Sequence, residues 1–316
     1  MSQNAPNPQL FEEAIDDLHS LRDFMRFAMT SFAAYGVHYG HGTDNALDEA
    51  AYLILQALQL PADLDSSWLD ARLCRSERQQ LAELVRQRCV ERIPTAYLVN
   101  RAWFAGLEFK ADARALVPRS PMAELIQNGF QPWIDAEHVG RILDLCTGGG
   151  SIALACAHYL PQAQVDAVDL SAEALALAHD NRTALQLDEQ VELLQGDLFA
   201  PVAGRRYDLI VSNPPYVDAT DMASLPPEYL HEPRMALAAG EDGLDIVRRI
   251  LREAPAYLEP QGVLIVEVGN SETHVQATWP DVPFTWLHFE HSEDGVFMLT
   301  REQLLESAAE FTEINL

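Results

Sequence analysis

Short apolar runs alternate with helical segments over residues 141–268, and this alternation constrains the fold more than any other feature of the 316-residue chain. The apolar runs, each typical of a buried strand, are Arg141–Leu145, Val165–Asp169, Val191–Leu194, Tyr207–Val211 and Gly262–Val268. The segments with helical periodicity between them are Ser151–Tyr159, Ser171–Leu185 and Leu244–Leu258. Strands that alternate with helices predict an α/β fold with a doubly wound, mostly parallel sheet.

The last two apolar runs predict a different connection. Phe284–Phe289 and Gly295–Leu299 are separated by only a short polar loop. Parallel strands need a crossover of about a dozen residues or more, whereas antiparallel strands can be joined by a tight turn. We therefore expect an antiparallel hairpin at the C-terminal end of an otherwise parallel sheet.

The N-terminal third of the sequence predicts helices. Apolar residues recur at spacings of three and four from Phe11 to about Tyr35, which indicates a one-sided helix. Further helices are expected over Ala46–Leu60, with a polar N-cap at one of residues 43–45, and over Ser76–Arg92. A short hairpin over Ala102–Phe109 follows, with its turn near Ala105 and Gly106.

Charge and cysteine usage narrow the possible partners. The formal net charge is −27, and such an acidic surface repels phosphate backbones and attracts basic proteins.

The four cysteines form no CxxC pair, and His38 and His41 lack further ligands at a metal-binding spacing, so we expect no metal site. The sequence has neither an apolar run of membrane-spanning length nor a secretion signal, and we expect a cytoplasmic protein.

A stiff loop follows the predicted strand Tyr207–Val211. Two successive prolines, Pro214 and Pro215, remove two backbone donors and hold Asn213 in an extended conformation. The side chain of Asn213 offers one acceptor and one donor group, and Tyr216 places a flat ring beside it. Because ligands bind at the carboxyl ends of parallel strands, this loop is suited to hold a planar group that carries an NH2.

A glycine loop joins the first strand of this sheet to its first helix. Gly148 and Gly150 allow a ligand to approach the backbone closely, at the N-terminus of a helix. Asp169 ends the next strand about twenty residues further on, where it can bind ribose hydroxyls. The two features predict a cofactor that contains adenosine, and they do not distinguish NAD from S-adenosylmethionine.

The choice between these cofactors depends on two further features at the carboxyl ends of the strands. Asp197 follows the third strand and can accept a hydrogen bond from an adenine amino group. The loop at Asn213 is suited to bind a planar NH2 group. Methyl transfer to nitrogen needs such a binding site, whereas hydride transfer does not. We therefore favour a methyl donor.

These motifs, in their order and spacing, resemble those of class I S-adenosylmethionine-dependent methyltransferases, which have a Rossmann-like sheet. The matching residues are Asp144, Gly148, Gly150, Asp169, Asp197 and Asn213-Pro214-Pro215-Tyr216. The helical N-terminal segment, the hairpin and residues 116–121 resemble the protein glutamine methyltransferases within that class. Residues 39–45 and 91–98 resemble the subfamily that acts on large-subunit ribosomal protein three.

The resemblance implies a division of the chain and a set of site residues. We expect a disordered tail over residues 1–10, a helical substrate-recognition domain over 11–95, a hairpin linker over 96–118 and a methyltransferase domain over 119–316. The residues implied for catalysis are Asn213, Pro214 and Tyr216, and those implied for substrate binding are Asn213, Pro214, Pro215 and Tyr216. The residues implied for binding S-adenosylmethionine are Asp144, Thr147, Gly148, Gly150, Asp169, Leu170, Asp197, Leu198 and Asn213.

The implied reaction is methyl transfer to the side-chain amide nitrogen of a glutamine in this ribosomal protein, a basic partner. The same chemistry on a peptide chain release factor is an alternative. A DNA adenine-amino methyltransferase shares the loop at Asn213, but it needs a basic cleft that this acidic chain does not suggest. An NAD oxidoreductase and a non-catalytic binding module are further alternatives, which cofactor-binding measurements distinguish.

Overall fold

The computed structural model describes residues 9–289 and 295–312, and the chain forms two compact units. The first unit comprises Met1–Ala102 with Pro226–His231, and the second comprises Trp103–Leu225 with Glu232–Leu316. Most of the expected N-terminal tail, residues 1–8, lies outside the described residues.

The first unit is helical. Its α-helices are α1 Leu10–Asp17, α2 Leu21–Tyr35, α3 Ala46–Ala57, α4 Arg75–Arg86 and α5 Thr95–Val99. Their buried faces share one apolar core, to which Phe24, Phe32, Leu53, Ile54, Leu81 and Val85 contribute.

Several helix boundaries in this unit differ from the sequence expectation. α3 ends at Ala57 and not at Leu60, and α4 ends at Arg86, where a π-helical turn follows, and not at Arg92. The helix expected from Phe11 to Tyr35 is divided, because Ser20 adopts an extended conformation and starts α2 with a capping box. The Ser20 hydroxyl accepts from the Asp23 amide at 3.2 Å, and the Asp23 carboxylate accepts from the Ser20 amide at 3.0 Å. Cys74, and not Ser76, precedes the first residue of α4. Asn45 caps α3, as one of the expected positions.

A buried ion network holds the segment Pro226–His231 in the first unit. Arg88 is fully buried in a π-helical turn that follows α4, and it donates to Glu49 at 2.6 Å and to Glu228 at 3.3 Å. The Glu228 carboxylate also accepts from the His38 amide at 3.0 Å and from Arg92 at 3.2 Å. The network therefore joins residues that are widely separated in the sequence.

A hairpin opens the second unit, as expected. Its strands are β1 Ala102–Phe104 and β2 Leu107–Phe109, and Ala105 and Gly106 form the turn with positive φ angles. The helix α6 Met122–Gln127 follows.

The second unit is built on a seven-stranded sheet with the order β5-β4-β3-β6-β7-β9-β8. The strands are β3 Arg141–Leu145, β4 Gln164–Asp169, β5 Val191–Gln195, β6 Tyr207–Ser212, β7 Leu258–Glu267, β8 Thr285–Leu287 and β9 Val296–Thr300. Strands β3 to β7 pair in parallel, and β9 pairs antiparallel with both β7 and β8. The predicted mostly parallel sheet with an antiparallel hairpin is confirmed.

Helices cover both faces of this sheet. The α-helices of the second unit after α6 are α7 Ser151–Tyr159, α8 Ala172–Ala184, α9 Ala219–Ser224, α10 Asp245–Glu253, α11 Glu272–Thr278 and α12 Arg301–Glu306, of which α9 has no buried residue. One apolar core contains Ile142 with residues of α6 and α7, and the other contains Leu143 with residues of α10 and α12. The helix expected to reach Leu258 ends at Glu253, because Pro255 cannot supply the backbone donor that continuation requires.

The strand order reverses between β3 and β6. From β3 the chain proceeds outward through β4 and β5, and it then returns to place β6 on the other side of β3. The loops that follow β3 and β6 leave the sheet side by side at its carboxyl edge. In α/β sheets this reversal point forms a ligand-binding crevice.

Candidate active site

The loop after β3 is shaped by its glycines. Gly148 and Gly150 have φ angles of +56° and +84°, in the left-handed region that favours glycine. A Cβ atom on Gly150 would lie 3.1 Å from the Cβ of Ala178, so a larger residue here would require the contact between α7 and α8 to shift. The two glycines thus turn the chain from β3 into the N-terminal end of α7.

Asp144 lies beneath this loop and is fully buried. Its Oδ2 atom accepts from the Thr147 hydroxyl at 2.6 Å and from the Ala153 amide at 3.1 Å, while Oδ1 has no hydrogen-bond partner among the described residues. Burial raises the pKa of Asp144 to about 7, although its hydrogen bonds favour the charged form. In this position Asp144 and Thr147 fix the shape of the loop from below.

Asp169 connects the ends of β3 and β4. Its carboxylate accepts from the Gly148 amide and from the Ser171 amide, both at 2.8 Å. Burial raises the pKa of Asp169, and these backbone hydrogen bonds oppose the shift. The next residue, Leu170, is 57% exposed and presents an open apolar surface at the same edge.

Asp197 and Leu198 follow β5. Asp197 accepts from Arg249 of α10 at 2.8 Å, a contact between residues 52 positions apart that no local pattern predicts. Leu198 is buried and has a positive φ of 47°, and the following Phe199 stacks on Tyr257 with the ring centroids 4.5 Å apart. The packing of Phe199 thereby anchors the end of the Asp197 loop.

The loop after β6 is held at Tyr216. Pro214 is buried, while Asn213, Pro215 and Tyr216 are partly exposed. The carbonyl of Tyr216 accepts from the Ser271 hydroxyl at 2.7 Å. A Cβ atom on Gly269 would lie only 2.7 Å from the Tyr216 ring, so the ring packs directly against a glycine backbone.

Glu267 is a site residue that the sequence analysis missed. It ends β7 and is 5% exposed, and its carboxylate accepts from the Tyr216 hydroxyl at 3.1 Å and from the Ser120 hydroxyl. Burial raises the pKa of Glu267, while hydrogen bonds from Ser120, Tyr216 and Asn213 and the charge of Arg119 oppose the rise. The available signal was the one acidic residue within the otherwise apolar run Gly262–Val268.

The buried carboxylate of Glu232 holds residues 116–121 in place through hydrogen bonds. Glu232 accepts from the Val117 amide at 3.0 Å and from Arg119 through both carboxylate oxygens. Ser120 then reaches Glu267, and its hydroxyl also accepts from the Met122 amide at 3.1 Å. This segment is thus a support for the Asn213 loop.

The two candidate metal-binding histidines lie in the first unit. The ring of His41 is buried against Tyr229, with the centroids 4.6 Å apart, and the His38 ring packs against the same tyrosine. Within residues 9–289 and 295–312, no group of three or more His, Cys, Asp and Glu side chains is arranged to hold a metal ion. No helix in that part of the chain is long and apolar enough to cross a membrane.

The sheet order, the glycine loop and the Asn213 loop define a class I methyltransferase. Residues 130–240 match the family described as Methyltransferase small domain. A solved structure, TrmN from Thermus thermophilus, is 25% identical, covers 51% of this chain and 43% of its own, and superposes with a TM-score of 0.36.

Curated relatives match almost the whole chain. The ribosomal protein uL3 glutamine methyltransferase of Xanthomonas campestris pv. campestris is 50% identical, over 95% of this chain and 97% of its own length. The protein of the same name from Neisseria gonorrhoeae is 48% identical, over 94% of this chain and 99% of its own length. The chain belongs to the family of ribosomal protein uL3 glutamine methyltransferases.

Proposed function

We propose that this enzyme transfers a methyl group from S-adenosylmethionine to the side-chain amide nitrogen of a glutamine in ribosomal protein uL3, and releases S-adenosylhomocysteine. The observation that carries the chemistry is the Asn213–Tyr216 loop, which leaves the sheet beside the glycine loop at the reversal point. The choice of substrate is supported by the names of relatives that match over nearly their full length.

The residues at the carboxyl edge fit S-adenosylmethionine. The positive φ angles of Gly148 and Gly150 leave the loop backbone open to a ligand, and Asp169 retains acceptor capacity for ribose hydroxyls beyond its two backbone partners. Leu170 offers an apolar surface to a flat base, and Asp197 offers an acceptor to an exocyclic amine. Asp144 and Thr147 support the loop, and Leu198 packs beneath the base.

The Asn213 loop orients the substrate amide. The lone pair of a carboxamide nitrogen is delocalised into its carbonyl, so the nitrogen is a weak nucleophile. The Asn213 side-chain oxygen and the Pro214 carbonyl accept its two N–H bonds, and Pro215 and Tyr216 hold its plane. Fixed orientation of this kind supplies several kcal/mol, and two acceptors favour the positive charge that develops on nitrogen.

The bound cofactor supplies an electrophilic methyl group on a sulfonium sulfur. Methyl transfer forms the C–N bond and breaks the S–C bond, whose electron pair stays on the sulfur, and the nitrogen then gives up one proton to water. Asn213 and Pro214 accept the two N–H bonds until that proton leaves, and no side chain is required to deprotonate the nitrogen beforehand.

The charge of the chain suits a basic ribosomal protein. A net charge of −27 attracts a cationic substrate and speeds its encounter with the enzyme. The same charge disfavours general binding to nucleic acid. We place the reaction in the cytoplasm, where ribosomal proteins are made.

A methylation assay with three protein substrates tests the proposal. The enzyme is incubated with S-adenosylmethionine and with purified uL3, a release factor or a buffer control, and tandem mass spectrometry locates any added methyl group. We expect a gain of about 14 daltons, one CH2 unit, on a glutamine side chain of uL3. Methylation of the release factor alone contradicts the proposed substrate, and methylation of neither protein contradicts the proposed activity.

A further inference from the structure

We propose that Glu267 is a positioning residue that sets the direction of the Asn213 side-chain amide, so that its oxygen and not its nitrogen faces the substrate. This inference rests on the proposed glutamine methyl transfer, which it deepens.

The register of the sheet brings Glu267 to the side of Asn213. Ser212 of β6 pairs with Val266 of β7, so the next residue on each strand is Asn213 and Glu267 respectively. Glu267 is 5% exposed, and its two oxygens already accept from the hydroxyls of Tyr216 and Ser120. The carboxylate is therefore held in place before any substrate arrives.

An ionised carboxylate accepts hydrogen bonds and cannot donate them. The register places the side chain of Asn213 beside this carboxylate, and the only side-chain atom with which Asn213 can donate to it is Nδ2. Since the amide is planar, a nitrogen fixed on Glu267 turns the oxygen Oδ1 away from it. The oxygen is then free to accept from the NH2 of a substrate amide.

Without the carboxylate, the Asn213 amide can turn over. An inverted amide points its NH2 at the NH2 of the substrate, where two donors face each other and neither accepts. A carboxylate at position 213 has no such problem, because both of its oxygens accept. The need for Glu267 should therefore disappear when residue 213 is an aspartate.

Four variants test this relationship: Glu267→Leu, Glu259→Leu, Asn213→Asp and the double variant Asn213→Asp/Glu267→Leu. Glu267→Leu is expected to lower kcat on uL3 at least tenfold, with an unchanged Kd for S-adenosylmethionine. Glu259→Leu makes the same change at a partly buried residue near the other end of β7, away from Asn213, and it is expected to keep kcat within about threefold of the parent. The double variant is expected to exceed Glu267→Leu at least fivefold, which loss of a merely structural contact would not produce.

The inference is overturned if folded Glu267→Leu keeps the parent kcat. It is also overturned if the kcat of the double variant is no higher than that of Glu267→Leu. Should Glu267→Leu not fold, as judged by its thermal unfolding, Glu267→Met keeps an unbranched side chain of similar length without an oxygen acceptor, and the same comparison with its Asn213→Asp double applies.

A spectroscopic readout separates this inference from the proposed substrate. The side-chain NH2 signals of Asn213 are assigned in a 15N-labelled sample by their absence from Asn213→Ala. Substitution of Glu267 should shift these signals upfield, whereas Glu259→Leu should not. Unshifted signals overturn the inference even if uL3 is methylated, while a parent enzyme that leaves uL3 unmethylated but shows the shift contradicts only the proposed function.

Discussion

The Tyr216 hydroxyl donates to the Glu267 carboxylate at 3.1 Å, and this contact joins the loop after β6 to the end of β7. The same tyrosine accepts from Ser271 through its carbonyl and packs its ring against Gly269. The loop is thus fixed by Glu267 at the end of β7 and by the segment that follows this strand, and the two prolines are only part of its rigidity.

Tyr216→Phe tests the contribution of the hydroxyl alone. The ring and its packing remain, but a hydrogen bond to a charged group is lost, which is worth about 1.5–3 kcal/mol. We expect kcat to fall about tenfold with little change in the Kd of S-adenosylmethionine, measured by steady-state kinetics and calorimetry. A large loss of cofactor affinity instead would show that the hydroxyl supports the cofactor and not the substrate.

The two glycines of the cofactor loop should respond differently to alanine. Both have positive φ, which costs about 1–2 kcal/mol for a residue with a Cβ atom. At Gly148 the nearest neighbour of an added Cβ is 3.8 Å away, whereas at Gly150 it is Ala178 at 3.1 Å. Gly150→Ala should therefore lower the unfolding temperature more than Gly148→Ala does. Equal losses would mean that the α7–α8 contact adapts easily.

Asp144 should make the stability of the second unit depend on pH. Its pKa rises from 3.8 to about 7 on folding, so the folded unit binds this proton more tightly than the unfolded chain does. The contribution of protonated Asp144 to the free energy of unfolding is fully present below pH 4. It is lost at up to about 1.4 kcal/mol per pH unit as the pH rises towards 7. Urea unfolding at pH 5 and 7 should show this decline in the parent and a smaller one in Asp144→Asn. Parallel declines would contradict the assignment.

Arg88 should be the cation on which the first unit depends most. Arg88→Met leaves the buried carboxylates of Glu49 and Glu228 without their shared partner, which typically costs about 3–5 kcal/mol. Arg86 on the preceding helix pairs with the partly exposed Glu83 at 2.7 Å, and Arg86→Met should cost about 1 kcal/mol or less. Chemical unfolding of both variants makes the comparison, and similar losses would contradict a central role for Arg88.

The pKa of Glu228 gives the same network a pH signature. Burial raises this pKa, but the His38 amide and the charges of Arg88 and Arg92 outweigh burial, so the pKa lies below 4.5. The stability from Glu228 is therefore present above the unfolded pKa and is lost as the pH falls through the folded one. In urea unfolding, the free energy of unfolding of the parent should fall as the solution is acidified, and this fall should be absent from Glu228→Gln.

The parallel core of the sheet could be predicted because its strands are buried on both faces. Runs such as Arg141–Leu145 and Tyr207–Val211 are nearly continuous in apolar residues, and the glycine loop marks the connection between strand and helix. Asp169 and Asn213 could be placed at the carboxyl edge because each directly follows or ends such a run. Local sequence therefore predicted the backbone of the site.

The supports of the site could not be predicted in the same way, because they depend on contacts between distant residues. Glu267 reaches Ser120 across 147 positions, and Arg88 reaches Glu228 across 140. The division of the first helix at Ser20 was missed because the apolar spacing continues across the break, while the capping box depends on one hydroxyl and one carboxylate. The periodicity of apolar residues does not predict such hydrogen-bonded pairs.

Asn213→Ala provides the most direct test of the central claim, that an oriented carboxamide at the end of β6 positions the substrate nitrogen for methyl transfer. The variant removes one of the two proposed acceptors for the substrate NH2 and leaves the glycine loop, Asp169 and Asp197 unchanged. Methyl transfer to uL3 is measured by mass spectrometry, and binding of S-adenosylmethionine by calorimetry. We predict that methyl transfer is abolished while cofactor binding survives, and near-normal turnover by Asn213→Ala would contradict the mechanism.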